Sequence, residues 1–330
     1  MRKSNVIGQS SLLDRFETMI SSGRVAHAYL LAGPEGIGKT TMGKIFANML
    51  LCTSSVDRPC GVCQSCMQFA SGNHPDFIQL IPNGKSIKVD DILNLRRDIV
   101  IKPYQGNRKV YMVDDAHTMT QFAQNALLKT LEEPPSYATI ILGTDNINAL
   151  LPTIISRCQA IPMKRMPSDD IYAILIERGL SSDEANIFAR MSEGLPGRAI
   201  ALSLDENFKV LREDVISYLD NLLSMKSWEI LKHTALFMDN RDDIGTILDI
   251  LVVFMRDVLI YSETGDYNLI INRDKKSNIN LYSNLFTTRQ IKTIIENIET
   301  ARKMLNDNAN YQLTIENMLL SIRGGVKICS

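Results

Sequence analysis

At 330 residues, with 45% hydrophobic and 22% charged side chains, the chain is long enough for two or three compact units and too apolar to be disordered. Its net charge of −1 excludes a whole-chain attraction to nucleic acid, so any DNA contact must be local or shared with partners.

The opening stretch MRKSNVIGQSSLLDRF starts basic but lacks the continuous apolar core of a secretory signal, and the chain is expected to be cytoplasmic. The first strand signal, AHAYLLA, runs directly into GPEGIGKT. Gly33, Gly36, Gly38, Lys39 and Thr40 satisfy the full G-x-x-x-x-G-K-[ST] pattern, with Thr41 next in line, between a strand and a helix as the chemistry requires. Glycines let backbone N–H groups turn toward phosphates, and the following helix start adds partial positive charge. In this pattern Lys39 reaches the β- and γ-phosphates of ATP or ADP, and the Thr40 hydroxyl faces Mg²⁺. A chance glycine-rich turn is the bland alternative.

Next come Cys52, Cys60, Cys63 and Cys66, spaced C-x7-C-x2-C-x2-C. Four soft ligands this close suit a closed, structural four-thiolate zinc site better than disulfides in a reducing compartment, with free buried thiols as the alternative. Pro59 and Gly61 favour the tight turning that such a knuckle needs. Cys158 and Cys329 stand apart and read as plain residues.

Four further strand signals follow: PDFIQLI, RKVYMVDD, ATIILGT and CQAIPM, separated by helical segments. That rhythm predicts a parallel sheet covered on both faces. RKVYMVDD ends in Asp114, positioned to hold Mg²⁺, and Asp115, a weak candidate for orienting an attacking water because it is one methylene shorter than the glutamate usual there. Between the second and third strands, Lys85, Lys88, Arg96, Arg97, Lys102, Arg108 and Lys109 outnumber Asp90, Asp91 and Asp98, which reads either as a DNA-backbone contact or as a solvated helix face. His27, His74 and His117 lack metal-like partners and read as packing or polar surface residues.

After MKRMPSDD the strand signals stop and helical periodicity takes over. The stretch IGTILDILVVFMRDVLIY is interrupted by Asp249, Arg256 and Asp257, so it predicts a buried helix and no membrane span. The last helix carries Tyr311, Ile315, Met318, Leu319 and Ile322 on one face before a GG terminator. The expected architecture is an α/β P-loop domain over 1–165 with a cysteine module at about 52–66, a small helical unit over 166–205 and an all-α unit over 206–330.

In their order, VIGQ, HAYLLAGPEGIGKT, the four-cysteine insert, KPYQGNRKVYMVDDAHTMT, NALLKTLEEPP, LLPTIISRC and EGLPGRAIAL closely resemble the bacterial DNA polymerase III clamp loader, an AAA+ ATPase family, along roughly residues 5–205. The helical remainder is similar in character to that family's collar, and the detailed match is to the delta-prime type, on MTQFAQNALLKTLEEPP, LLPTIISRCQ, GLPGRA and a chain expected to end after its collar. The resemblance implies a hetero-pentamer with gamma/tau and delta subunits that loads a sliding clamp onto primer-template DNA. It also implies that Arg157, in the SRC motif, is an arginine finger inserted into a neighbour's ATP site, that Arg198 is the sensor 2 arginine, and that Thr144 stands at the sensor 1 position. Delta-prime-type subunits often lack a working phosphate loop, and this chain departs by keeping one. It is therefore expected to bind nucleotide and hydrolyse it poorly. The alternatives are a gamma/tau-like motor ATPase and an unrelated P-loop kinase.

Overall fold

The computed structural model describes residues 7–54, 57–232, 234–307 and 309–324. The first six residues, the second glycine of the GG terminator and Cys329 lie outside them. The chain divides into two compact units. One takes the chain up to Ile174 together with Glu193–Arg198, and the other takes Leu175–Ser192 together with the chain from Ala199 onward.

The first unit is built on five strands, β1 (Ala28–Ala32), β2 (Phe77–Leu80), β3 (Lys109–Val113), β4 (Ala138–Thr144) and β5 (Gln159–Pro162), in the spatial order β2-β3-β4-β1-β5. Every pairing is parallel. All five coincide with the strand signals in the sequence. α1 (Ser10–Ser21) precedes β1, and between the strands lie α2 (Lys39–Leu51), α3 (Gln64–Ala70), α4 (Val89–Ile99), α5 (Gln121–Glu132) and the short α6 (Pro152–Ile155).

Side chains alternate across each strand, and both faces of this sheet are covered. Tyr29, Leu31, Val110, Met112 and Ile141 pack with Phe16 of α1 and Ile45, Phe46 and Met49 of α2. Leu30, Tyr111, Val113, Ile140 and Leu142 pack on the other face with Ile92 and Leu95 of α4 and Leu127 and Leu131 of α5. α5 starts cleanly because the Thr120 hydroxyl accepts the Ala123 N–H at 3.2 Å.

One sequence expectation changes here. Lys109, counted among the exposed basic residues, is buried, with its ammonium 2.7 Å from the Asp98 carboxylate and over the Tyr111 ring. It opens a central strand, where alternation turns its side chain toward the α4 end, so it is unavailable to phosphates.

α7 (Ser168–Glu177), α8 (Ser182–Met191) and α9 (Pro196–Leu204) follow β5, and the remainder of the described chain is helical: α10 (Glu206–Ser224), α11 (Ser227–Ile230), α12 (Ala235–Asp239), α13 (Ile244–Thr264), α14 (Lys276–Leu285), α15 (Thr288–Asn306) and α16 (Tyr311–Gly324). In the second unit α13 is the apolar centre, burying Ile247, Leu248, Leu251, Phe254, Met255 and Val258. Its polar interruption is satisfied. The buried Asp257 carboxylate accepts the Ile271 N–H at 2.8 Å and the Asn272 N–H at 2.7 Å, while Arg212 grips Asn272 and Asp274. Among the described residues no helix is long and apolar enough to cross a membrane.

Candidate functional site

Parallel pairing brings the exits of β1, β3 and β4 to one edge of the sheet, and the chemistry predicted from three distant stretches converges there. β1 leads into the 33–38 loop, in which Gly36 and Gly38 hold φ of +76° and +97°, left-handed conformations that a side chain disfavours. Lys39 opens α2, is buried, and donates to the Gly33 and Pro34 carbonyls at 2.9 and 3.1 Å. Burial lowers the Lys39 pKa, opposed by the carboxylates of Asp145, Asp115, Glu35 and Asp114. Carboxylates at the exits of β3 and β4 thus act on the same ammonium.

The Thr40 hydroxyl donates to Asp114 at 3.1 Å, so the two groups that would share a Mg²⁺ are already in contact. The other Asp114 oxygen accepts from Gln79 on β2, a partner that no sequence signal pointed to. Thr41 is exposed at the first turn of α2. Asp115 is exposed on a left-handed turn (φ +46°), with its carbonyl accepting both the N–H and the hydroxyl of Thr118 at 2.8 Å. Thr144 is fully buried, and its hydroxyl is occupied by its own loop, donating to the Asn146 carbonyl at 3.0 Å. Beside it Asp145 meets His117 at 3.0 Å, which ties the turn after β3 to the turn after β4.

The start of α9 also lies on the phosphate loop. The Gly197 N–H donates to the Gly36 carbonyl at 2.8 Å, and Arg198 is the next residue. A Cβ on Gly197 would stand 2.8 Å from the Gly36 Cα, a contact between backbones that has no room to relax. Gly197→Ala is therefore expected to lower the melting temperature and push the turn off the loop, at a cost of about 1–3 kcal/mol, checked by thermal denaturation with and without nucleotide.

Arg157 is elsewhere. It stands at the entry of β5, whose first residue, Gln159, registers with Tyr29 near the start of β1. The phosphate loop follows the exit of β1, five residues or roughly 16 Å along the strands. The guanidinium is half-buried, 2.8 Å from a Glu132 oxygen at the end of α5 and 3.0 Å from the Thr153 carbonyl.

The four cysteines do come together. All four sulfurs lie within 4.8 Å of one another, and Cys52 and Cys63 are 3.9 Å apart. A tetrahedral ion with bonds of about 2.3 Å needs sulfurs about 3.8 Å apart, so the set fits a divalent ion such as zinc. Backbone N–H groups of Cys60, Cys63 and Cys66 point at the sulfurs of Cys52, Cys60 and Cys63 at 3.3–3.5 Å. Burial works against ionisation of Cys63, but the Cys66 N–H and contacts to Thr53 outweigh it and bring the thiol down to about 6. Burial raises Cys52 and Cys66, which a bound cation would reverse. Cys158 takes no part, packing half-buried against the sheet.

Comparison with known proteins matches this arrangement to one family. Residues 8–167 match the family described as DNA polymerase III, delta subunit, and residues 206–324 match DNA polymerase III, delta subunit, C terminal. The chain is similar to DNA polymerase III subunit delta' of Bacillus subtilis (strain 168), 31% identical over 93% of each chain. It is similar over a shorter stretch to subunit tau of Escherichia coli (strain K12), 33% identical over 61% of this chain but only 32% of that protein. A solved gamma subunit-related protein of Thermotoga maritima aligns over 94% of this chain and 99% of its own at 20% identity, with a TM-score of 0.40. The two family matches take in both the α/β part and the helical part of the chain, and the Bacillus relative aligns over 93% of it, so the chain belongs to the delta-prime subunit family of DNA polymerase III.

Proposed function

We propose that this chain is the non-motor, delta-prime-like subunit of a DNA polymerase III clamp loader, helping to load the sliding clamp onto primed DNA. In this reading residues 1–165 are the AAA+ nucleotide-binding part, 166–205 the lid and 206–330 the collar through which gamma/tau and delta neighbours associate. Arg157 acts in trans, completing the ATP site of an adjacent subunit.

The observation that carries the reading is the position of Arg157 at the entry of β5, whereas the phosphate loop follows the exit of β1. A side chain at the start of a parallel strand cannot serve phosphates bound at the strand ends of the same sheet, so its natural substrate is a pocket on another chain. Glu132 and the Thr153 carbonyl hold the guanidinium in one direction ready for that encounter.

The chain's own pocket is read as a holder of ATP or ADP with Mg²⁺. Gly33, Gly36, Gly38, Lys39, Thr40 and Thr41 would cradle the phosphates, Thr40 and Asp114 the cation, and Arg198 and Thr144 would flank them. Lys39 must exchange its two loop carbonyls for phosphate oxygens to do so. No arginine of this chain is assigned to finish the site, and Asp115 is short for a water-orienting residue. Slow turnover follows. A zinc ion in the Cys52, Cys60, Cys63 and Cys66 set is structural, since all four positions are taken by protein.

A motor-type reading draws on the ready Thr40–Asp114 contact. Turnover separates the two. The isolated chain is expected to bind ATP in a manner lost in Lys39→Ala, to hydrolyse it far below motor rates, and to co-elute with gamma/tau and delta partners. Motor-like hydrolysis by the isolated chain, abolished by Lys39→Ala, would favour the gamma/tau alternative. Failure to assemble with those partners would overturn the proposal. Family membership removes the unrelated-kinase reading.

A further inference from the structure

A cavity of about 660 Å³ lies apart from the phosphate loop, between the cysteine-bearing turn and the loop that leads into β3. Its volume is that of a small-molecule site. Arg58, Gln64, Gln105, Asn107 and Arg108 contribute to its lining, and two buried polar residues, His74 and Asp76, form its back.

The back wall is internally satisfied. The Ser65 hydroxyl donates to the Leu51 carbonyl at 2.8 Å, so at the 2.9 Å contact with His74 Nε2 it must accept, and the ring carries its proton there. The other ring nitrogen, Nδ1, accepts the Asp76 N–H at 3.1 Å. Burial lowers the His74 pKa against the opposing charge of Asp76, consistent with this neutral tautomer. Both Asp76 oxygens are used in turn, accepting the N–H groups of Tyr104 and Gln105 at 2.6 and 2.8 Å. This chain of bonds ties the cysteine-bearing turn to the 104–105 backbone along one side of the cavity.

The two arginines, by contrast, have spare capacity. Arg58 donates through Nε to the Ser54 carbonyl, and Arg108 makes one long contact of 3.5 Å to the Thr139 hydroxyl. Among the described residues neither is paired with a carboxylate. Arg58 and Arg108 both line the same cavity, and an anion bound there would be attracted by both cations, most strongly where forked donors meet paired oxygens. Gln105 and Asn107, also in the lining, carry neutral amide donors.

We propose that this cavity is a second anion site, separate from the nucleotide pocket, that takes a small oxyanion of the phosphate class between Arg58 and Arg108. The inference does not depend on the clamp-loader reading.

The test uses the full-length, zinc-loaded chain carrying Lys39→Ala, which silences the phosphate loop, titrated calorimetrically with inorganic phosphate and with ribose 5-phosphate. Saturable binding is expected for at least one of them, and the tighter of the two tells whether the free or the esterified form is preferred. Arg108→Gln and Arg58→Gln should each weaken it about tenfold or more, with zinc content and melting temperature retained. Arg108→Lys, which keeps the charge but loses the fork, should recover only part of the affinity. Absence of saturable binding by either probe in the Lys39→Ala chain would overturn the proposal. So would binding indifferent to both arginines. Arginine variants that shed zinc, in a protein that binds neither probe, would show that the guanidiniums only balance the charge of the thiolate cluster.

Discussion

Replacing Arg157 with alanine is expected to abolish most of the DNA-stimulated ATP turnover at the neighbouring site it is proposed to complete, while the variant still assembles. An arginine finger is worth about 10³ to 10⁵ in rate, since it neutralises charge that develops only in the transition state. The loss should therefore appear in the hydrolysis step and leave ATP binding by the neighbour nearly unchanged. The measurement is single-turnover hydrolysis in an assembly reconstituted with gamma/tau and delta subunits, in which only the site facing this chain is intact. Arg157→Lys should rescue little, because the contact to a transferring phosphoryl group needs the planar fork. Glu132→Gln offers a graded control. The pair is half-exposed, so its loss is expected to cost only a few-fold through less precise presentation of the guanidinium. Full activity of the Arg157→Ala assembly would remove the trans role altogether.

The second large effect concerns the cysteine cluster. Removing the proposed zinc by chelation, or one of its proposed ligands with Cys66→Ala, is expected to empty the site and to lower the stability of the first unit by about 3–5 kcal/mol. For a unit of this size that corresponds to roughly 6–20 °C in Tm. Cys66 is almost fully buried, so the substitution also removes a packed side chain beneath the turn. The damage should be local at first. Ser65 lies between two ligands and is bonded to Leu51 and His74, so losing the ion frees α3 and, through His74 and Asp76, the edge strand β2 and the 104–105 backbone. Hydrogen exchange should rise across those segments while β1, β3 and β4 stay protected. Cys158→Ser should retain full zinc. Wild-type exchange and melting after complete chelation would show that the cluster holds no structural ion.

The two expectations differ in how far they could be read along the chain. The cysteine set was legible because its ligands are close in sequence, and spacing alone constrains where their sulfurs can go. The phosphate loop was legible for the same reason, since one turn between a strand and a helix contains all its parts. Sensor positions were harder. Thr144 closes β4 with its hydroxyl consumed by the Asn146 carbonyl, and the charge from that turn that acts on Lys39 is that of the next residue, Asp145. The His117–Asp145 contact joins two turns whose strands are neighbours only because β3 pairs with β4. Gln79 likewise meets Asp114 only because β2 pairs with β3. Nothing in PDFIQLI marks it as a partner for Asp114, 35 residues away.

The basic segment shows the converse limit of local sequence. Seven cations in a short window look alike in sequence, yet Lys109 is turned into the core against Asp98, while Arg108, its neighbour, lines a cavity. Alternation along a strand separates adjacent residues to opposite faces, and charge counting takes no account of it.

Local periodicity and spacing determined the five strands, the phosphate loop, the cysteine knuckle and the helical run after β5, because each of these signals is complete within a few turns of chain. The tertiary structure decided the strand order, the convergence of Lys39, Thr40, Asp114 and Asp145, the seating of Gly197 on Gly36, and above all the separation of Arg157 from the phosphate loop. Those outcomes depend on which strands pair and at which end of the sheet each residue emerges. Pairing of this kind is settled by the burial of two whole faces at once, a global property that no short stretch of sequence carries.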